Sequence, residues 1–356
     1  MKSFRIDWGR VSRSKVTWAC VAEALILLVC LIIRPDFFEI SYQPTTGMLY
    51  GSLIDILNRS SEITIIAMGM TLVIALGGTD LSVGATVAVS GALALKLMRW
   101  DMSMYPTAGD FSITPFFLVI MAALVVSVLM GAFNGLLISR GGMQPIIATL
   151  ILMVAGRGVA QIITNGRQMT IDYTPFKFLS QGSILFLPMP VIITALVVLL
   201  MILFTRKTSF GMFVESVGIN ANASRVSGLN SRRIIMIVFI LTGFLSGISG
   251  LIYSSRIMQN DSNNAGLNYE MDAILAVVIG GTNMSGGKFN LGGTVVGSII
   301  IRTIITFVYY FGVASEATMA FKALIVAVVI ILQSEPVQKA MAKQRKRRRT
   351  AMAAKG

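Results

Sequence analysis

Apolar runs recur along this chain from about residue 18 to residue 333, each near the roughly 20 residues a helix needs to cross about 30 Å of hydrocarbon. In lipid every backbone N–H and C=O must be bonded within the protein, which leaves helices or closed barrels. The alternating segments of a membrane barrel are missing from the sequence. The chain therefore reads as an all-α polytopic membrane protein. A mean hydropathy of +0.77 with only 13% charged residues excludes an ordinary soluble domain. The 33 glycines fit the same class, because transmembrane helices use Gly where backbones pack closely.

Several chemistries are excluded by residue inventory. The chain has no His, so zinc motifs of the H-E-x-x-H type and Ser-His-Asp triads cannot form, and no catalytic or metal-ligating residue is expected. Cys20 and Cys30 lie on one apolar run, roughly 15 Å apart along a helix and beyond disulfide reach. They read as packing residues.

Crossings are expected at 18–33, 63–78, 84–98, 114–138, 145–164, 188–204, 234–254, 267–282, 292–311 and 318–333, about ten in all. Arg34-Pro35-Asp36 follows the first run without a small-residue cleavage pattern, so the first helix is expected to stay, with the N-terminus in the cytoplasm. The inside segments then hold 20 Lys and Arg and the outside segments six, the asymmetry of a chain with both ends cytoplasmic. The net charge of +14 thus reports topology rather than a nucleic-acid partner. The run Lys343–Arg349 reads as an anchor to anionic membrane lipid. The organisation is a basic N-terminus at 1–17, a transmembrane domain at 18–333 with a cytoplasmic loop at 205–233, and a basic tail at 334–356. Span 267–282 is the weakest, since uninterrupted apolar sequence between Asp272 and Gly280 covers only about 10 Å. It is expected to cross as a short helix begun near Asn268, with Glu270 and Asp272 near the outer surface.

An internal repeat joins Leu72–Gly84 and Leu275–Gly287 through the pattern GGTxxSxG at an offset of 203 residues. It singles out Gly77, Gly78, Thr79 and Asp80, and Gly280, Gly281 and Thr282. Glycine-interrupted helices in corresponding places point to a transporter's pathway; plain turns between hairpin helices are the other reading. Thr282–Phe289 is not a nucleotide-binding loop, lacking its first Gly and carrying Phe289 where the magnesium-binding Ser or Thr belongs. Asp80, Asp272 and Glu316 fall near span ends and Glu23 near the start of the first run, a placement that does not favour a proton relay.

The loop 205–233 is too long for a hairpin connection. Asn220 is expected to cap a short helix of about two turns, which Gly228 ends in a left-handed conformation. Ala221, Ala223 and Ser224 keep that helix slim, and Arg225, Arg232 and Arg233 flank it. Such a helix suits a groove on a soluble partner, or an interfacial position.

Gly218–Arg233, GINANASRVSGLNSRR, resembles the coupling loop of ribose-type ABC sugar permeases, with Gly218, Asn220, Ala223, Ser227 and Gly228 in the matching places. Gly77–Ala85, Asn134–Thr164 and Met271–Thr282 resemble the same family, and the likeness spans roughly residues 50 to 335. Within it, ILMVAGRGVAQIIT, ILFLPMPVII and Asn263–Leu267 are most similar to permeases of galactofuranose importers. The resemblance implies a permease of about ten helices in the inner membrane. It also implies a periplasmic or lipid-anchored sugar-binding protein, an ATPase carrying two ABC domains, and a second permease chain, identical or different. ATP and magnesium would then sit on that ATPase, with no cofactor in this chain. The coupling residues implied are Gly218, Asn220, Ala223, Ser224, Arg225, Ser227 and Gly228.

For the path itself, Arg157, Gln161 and Thr164 fall at i, i+4 and i+7 of one helix, and Arg302, Thr306 and Tyr309 of another. Polar groups at such depth face protein or a hydrated cavity, as sugar contacts or as interhelical bonds. Asn134 joins these candidates. Gly243/Gly247 and Gly293/Gly297 read as helix-packing pairs. The expected function is the membrane subunit, itself no enzyme, of an ATP-driven importer of a galactofuranose-like monosaccharide. The alternatives are another small metabolite such as a nucleoside, or a stand-alone ion-coupled carrier.

Overall fold

The structure, a computed structural model, describes residues 15–33, 35–43, 48–104, 113–184 and 186–310, together with 312, 317, 320–324 and 327. Its helices in chain order are α1 (Lys15–Ile33), α2 (Ser52–Ala75), α3 (Val83–Met104), α4 (Ile113–Ser139), α5 (Pro145–Thr164), α6 (Thr174–Gln181), α7 (Met189–Lys207), α8 (Phe210–Ile219), α9 (Ala221–Val226), α10 (Ser231–Ile257), α11 (Tyr269–Ile279) and α12 (Leu291–Tyr310). Between them lie β1 (Ser41–Gln43), β2 (Met48–Tyr50), β3 (Met169–Thr170), β4 (Ser183–Ile184), β5 (Leu187–Pro188) and β6 (Gln259–Asn260). Helices α4, α5, α7, α10 and α12 are each long and apolar enough to cross a membrane. The expected crossing at 318–333, the termini at 1–17 and 334–356, and Glu316 lie wholly or mostly outside the described residues.

Helix α2 is the axis of the bundle. Every residue from Ser60 to Ala75 is buried, with α7, α10, α11 and α12 packed around it. One face, Ile63, Ile66, Met70 and Ile74, meets Ala273, Ala276 and Val277 of α11 and Ile300, Ile301 and Ile304 of α12. Another, Ile65, Met68, Leu72 and Val73, meets Val197 and Met201 of α7, Val214 and Val217 of α8, and Val238 of α10. These spacings of three and four residues are successive faces of one helix, and a helix apolar all round is one with no solvent face. Backbones approach through glycine, as expected for the two packing pairs: a Cβ on Gly243 would lie 2.9 Å from Gly131 Cα, and one on Gly247 2.6 Å from Ser127 Cβ. Gly293 lies against Gly280, and Gly297 against Ala276.

Helix α2 starts at Ser52 rather than 63, because Asp55 and Arg59 pair with each other at 2.8 Å and Glu62 has a partner of its own; hydropathy alone ended the span early. As expected, α11 is a short helix begun at Asn268, 11 residues and about 16 Å long. The chain from Met258 to Asn268 makes the rest of that passage without helix. Glu270 and Asp272 are buried against neighbouring helices, at 8% and 5% exposure.

Helix α3 also starts inside the bundle. A Cβ on Gly156 would lie 3.0 Å from that of Ala85, and Gly156 is roughly 16 Å along α5 from Pro145. The first turn of α3 thus sits about half way along α5, where Gly84 abuts Gly266 and Glu270 at the start of α11. The connections fall at two ends. At one, Gly78 lies against Pro145, and Gly287 N donates to Ala75 O at 2.8 Å. At the other, β3 pairs with β6, and Leu49 N donates to Phe186 O at 3.3 Å.

Candidate functional site

The loop 205–233 holds two helices instead of one. Helix α8 packs its Val214 and Val217 against the end of α2. Asn220 then caps α9, its side-chain oxygen accepting from Asn222 N at 3.0 Å and Ala223 N at 2.9 Å. Helix α9 is six residues long, shorter than two turns. Gly228 follows in the left-handed region at φ +86°, as expected, and Ser227 Oγ donates to Ala223 O at 3.1 Å. Only Ser224 of α9 is buried; Ala223, Arg225, Arg232 and Arg233 are exposed. Ile219 is 73% and Val226 90% exposed, so a small, apolar-tipped, basic-flanked projection stands clear of the bundle. Asn220 and Ser231 attach it at its base, Ser231 Oγ donating to Ala221 O at 2.9 Å.

The two glycine loops share a local geometry. Helix α2 ends with Gly77 at φ +80° and α11 with Gly281 at φ +89°; Gly78 N donates to Val73 O at 3.1 Å, and Thr282 N to Val277 O at 3.2 Å. Both are left-handed glycine terminators with a six-residue closing bond. Each is followed by the same side-chain turn, Ser82 N donating to Asp80 Oδ1 at 2.9 Å and Ser285 N to Asn283 Oδ1 at 3.1 Å. The copies then part. The first enters α3 at Val83, whereas the second stays irregular until Leu291, with Gly286 and Gly287 at φ +86° and +91°.

Of the path candidates, the structure brings together Arg157, Gln161 and Thr164. Arg157 donates to the carbonyls of Ser262 at 3.1 Å and of Ala265. Gln161 Nε2 donates to Asn263 Oδ1 at 2.6 Å, and Thr164 Oγ1 lies 2.9 Å from Ser262 Oγ. One face of α5 therefore holds the irregular segment that leads into α11. A cavity of about 190 Å³ opens beside it, lined by Gln161, Thr164, Gly166, Arg167, Asp261, Ser262 and Asn263. Arg302 and Thr306 are half-buried and Tyr309 is 55% exposed on α12, which packs on α1, α2 and α11, whereas α5 packs on α3 and α4. The two polar faces thus lie on helices with different packing neighbours. Asn134 goes elsewhere again, its amide donating to Ser82 Oγ at 2.8 Å while Ser82 Oγ donates to Asp80 at 2.6 Å.

One buried cluster escaped the sequence reading. Glu62 Oε1 accepts from Arg256 Nε at 2.8 Å, and its Oε2 from Tyr269 OH at 2.5 Å. Arg256 also donates to Asn58 O at 3.0 Å. The cluster ties the end of α10 and the start of α11 to the central helix. The only hint in the sequence was that Glu62 and Arg256 flank apolar runs; nothing local pairs them.

A family profile described as "Branched-chain amino acid transport system / permease component" matches residues 52–332. The galactofuranose transporter permease protein YtfT of Escherichia coli strain K12 is 45% identical over 88% of each chain. The fructose import permease protein FruF of Bifidobacterium longum is 40% identical over 94% of this chain and 92% of that protein. The ribose import permease protein RbsC of Haemophilus influenzae is 34% identical over 86% of this chain and 90% of its own. No solved structure matches.

Proposed function

Since this chain belongs to that permease family, with sugar ABC importer permeases among its relatives, we propose that it is the membrane-spanning subunit of an ATP-driven, binding-protein-dependent importer of a galactofuranose-like monosaccharide. Its partners are a separate ATPase with two ABC domains, a sugar-binding protein and a second permease chain, and both termini lie in the cytoplasm. The observation that carries the reading is the pairing of 45% identity to a galactofuranose permease over 88% of both chains with the capped, exposed α9. An exposed slim helix gives an ATPase something to grip. ATP binding by that partner moves α9, and the permease pair exchanges outward-open for inward-open forms around the sugar path.

The sugar itself is tested by transport. Proteoliposomes holding this chain, its ATPase and the second permease, supplied with the binding protein and ATP, are expected to accumulate labelled galactofuranose. The 40% identity to a fructose permease over 94% of this chain sets the competing outcome: accumulation of fructose in preference to galactofuranose overturns the assignment of sugar. Uptake driven by an ion gradient without ATP overturns the class.

A further inference from the structure

Three stretches of backbone meet at Gly218 with no side chain between them. This residue is at the end of α8, two positions before the capped start of α9. A Cβ there would run into the carbonyl oxygen of Ala75, the last residue of α2, and would lie 2.8 Å from Gly287 N. Gly287 N in turn donates to Ala75 O at 2.8 Å. A Cβ on Gly286 would lie 2.8 Å from Gly218 O and 3.1 Å from Gly77 N. Both glycine loops and the root of α9 are thus in mutual contact, main chain on main chain. Side chains hop between rotamers and absorb small displacements, whereas close-packed main chain transmits them.

What lies beyond the contact gives it a purpose. Gly77 opens the loop that climbs to α3, whose first turn sits at mid-height against Gly266 and Glu270. The second loop closes α11, which starts at that same place. A shift at Gly218 therefore acts on both helices that begin inside the bundle. Resting on the reading that an ATPase grips α9, we propose that the Gly218–Ala75–Gly287 contact is the point through which α9 displaces both glycine loops together. Gly218 and Gly287 are positioning residues for transport and touch no sugar.

The test uses the whole reconstituted importer and reads ATP hydrolysis, sugar uptake and co-purification of the ATPase on the same preparations. Gly218→Ala adds one methyl at the contact. Gly158→Ala adds one where nothing lies within 4 Å, and Gly142→Ala, at φ +69° with nothing within 4 Å, supplies backbone strain without the contact. Gly218→Ala and Gly286→Ala, the latter placing its methyl 2.8 Å from Gly218 O and 3.2 Å from Ala75 O, are expected to keep the ATPase bound and hydrolysing within about twofold of wild type, while sugar imported per ATP falls at least tenfold. Gly158→Ala and Gly142→Ala should keep the wild-type ratio. Unchanged uptake per ATP in Gly218→Ala overturns the transmission point, and so does loss of the ATPase from Gly218→Ala but not Gly158→Ala, which makes the contact scaffold. The wild-type arm tests the underlying reading separately, because absence of ATP-driven sugar uptake there sinks the importer and not the contact alone.

Discussion

Glu62 is 2% exposed, and its ion pair with Arg256 is enclosed by the bundle. Removing one partner of such a pair strands the other, at about 3–5 kcal/mol. Glu62→Ala should therefore lower the thermal unfolding temperature of the detergent-solubilised protein markedly. The double variant Glu62→Leu/Arg256→Leu, which strands no charge and leaves only the Tyr269 hydroxyl and the Asn58 carbonyl without their partners, should recover part of the loss. A double variant as unstable as the single one would show that packing rather than the stranded charge sets the cost. Arg157 poses a different question, because it holds the carbonyls of Ser262 and Ala265 beside a polar cavity. Arg157→Leu is expected to impair uptake per assembled importer while leaving the ATPase bound. Loss of thermal stability with an unchanged rate per importer would make the arginine a fastener for the segment leading into α11 and nothing more.

Among elements, α9 carries the sharpest expectations. Asn220→Ala leaves two N–H groups without their acceptor, costing about 1 kcal/mol of local stability, and should weaken ATPase binding in a pull-down without touching membrane insertion. Ala223→Arg puts bulk and charge on its exposed face, and Gly228→Val forces a β-branched side chain to φ +86°. Both should abolish transport in chains that still insert, and full uptake by both would show that α9 is not gripped. This helix was readable in advance because its signals are local: an Asn before small residues and a Gly after them act within a few positions of chain. The unusual length of α11 was readable too, from the scarcity of apolar residues between Asp272 and Gly280. Its burial was not, because the partners that enclose Glu270 arrive from α3 and α5, and no spacing rule reaches across 100 residues or more. For the same reason the bond from Asn134 to Ser82, 52 positions away, was not legible. The repeat of GGT was legible as sequence; that it stands for one helix terminator followed by one side-chain turn needed the backbone angles.

For the whole molecule, the arrangement of connections at two ends is a claim about sides. With Cys20 and Cys30 replaced by Ser, single cysteines at Asn264 and Val226, both exposed, should react with an impermeant reagent only from outside and only from inside respectively. Labelling of both from one side would overturn the topology. The enclosure of α2 has a consequence for how the protein is made. Helix α2 is made early, its stretch from Ser60 to Ala75 ends enclosed by other helices, and it carries Glu62, whose counter-charge Arg256 lies 194 residues further on. At about 5–20 residues per second, roughly 10–40 s separate the synthesis of the two. During that interval the helix destined for the centre stands in the bilayer without the partner of its buried carboxylate.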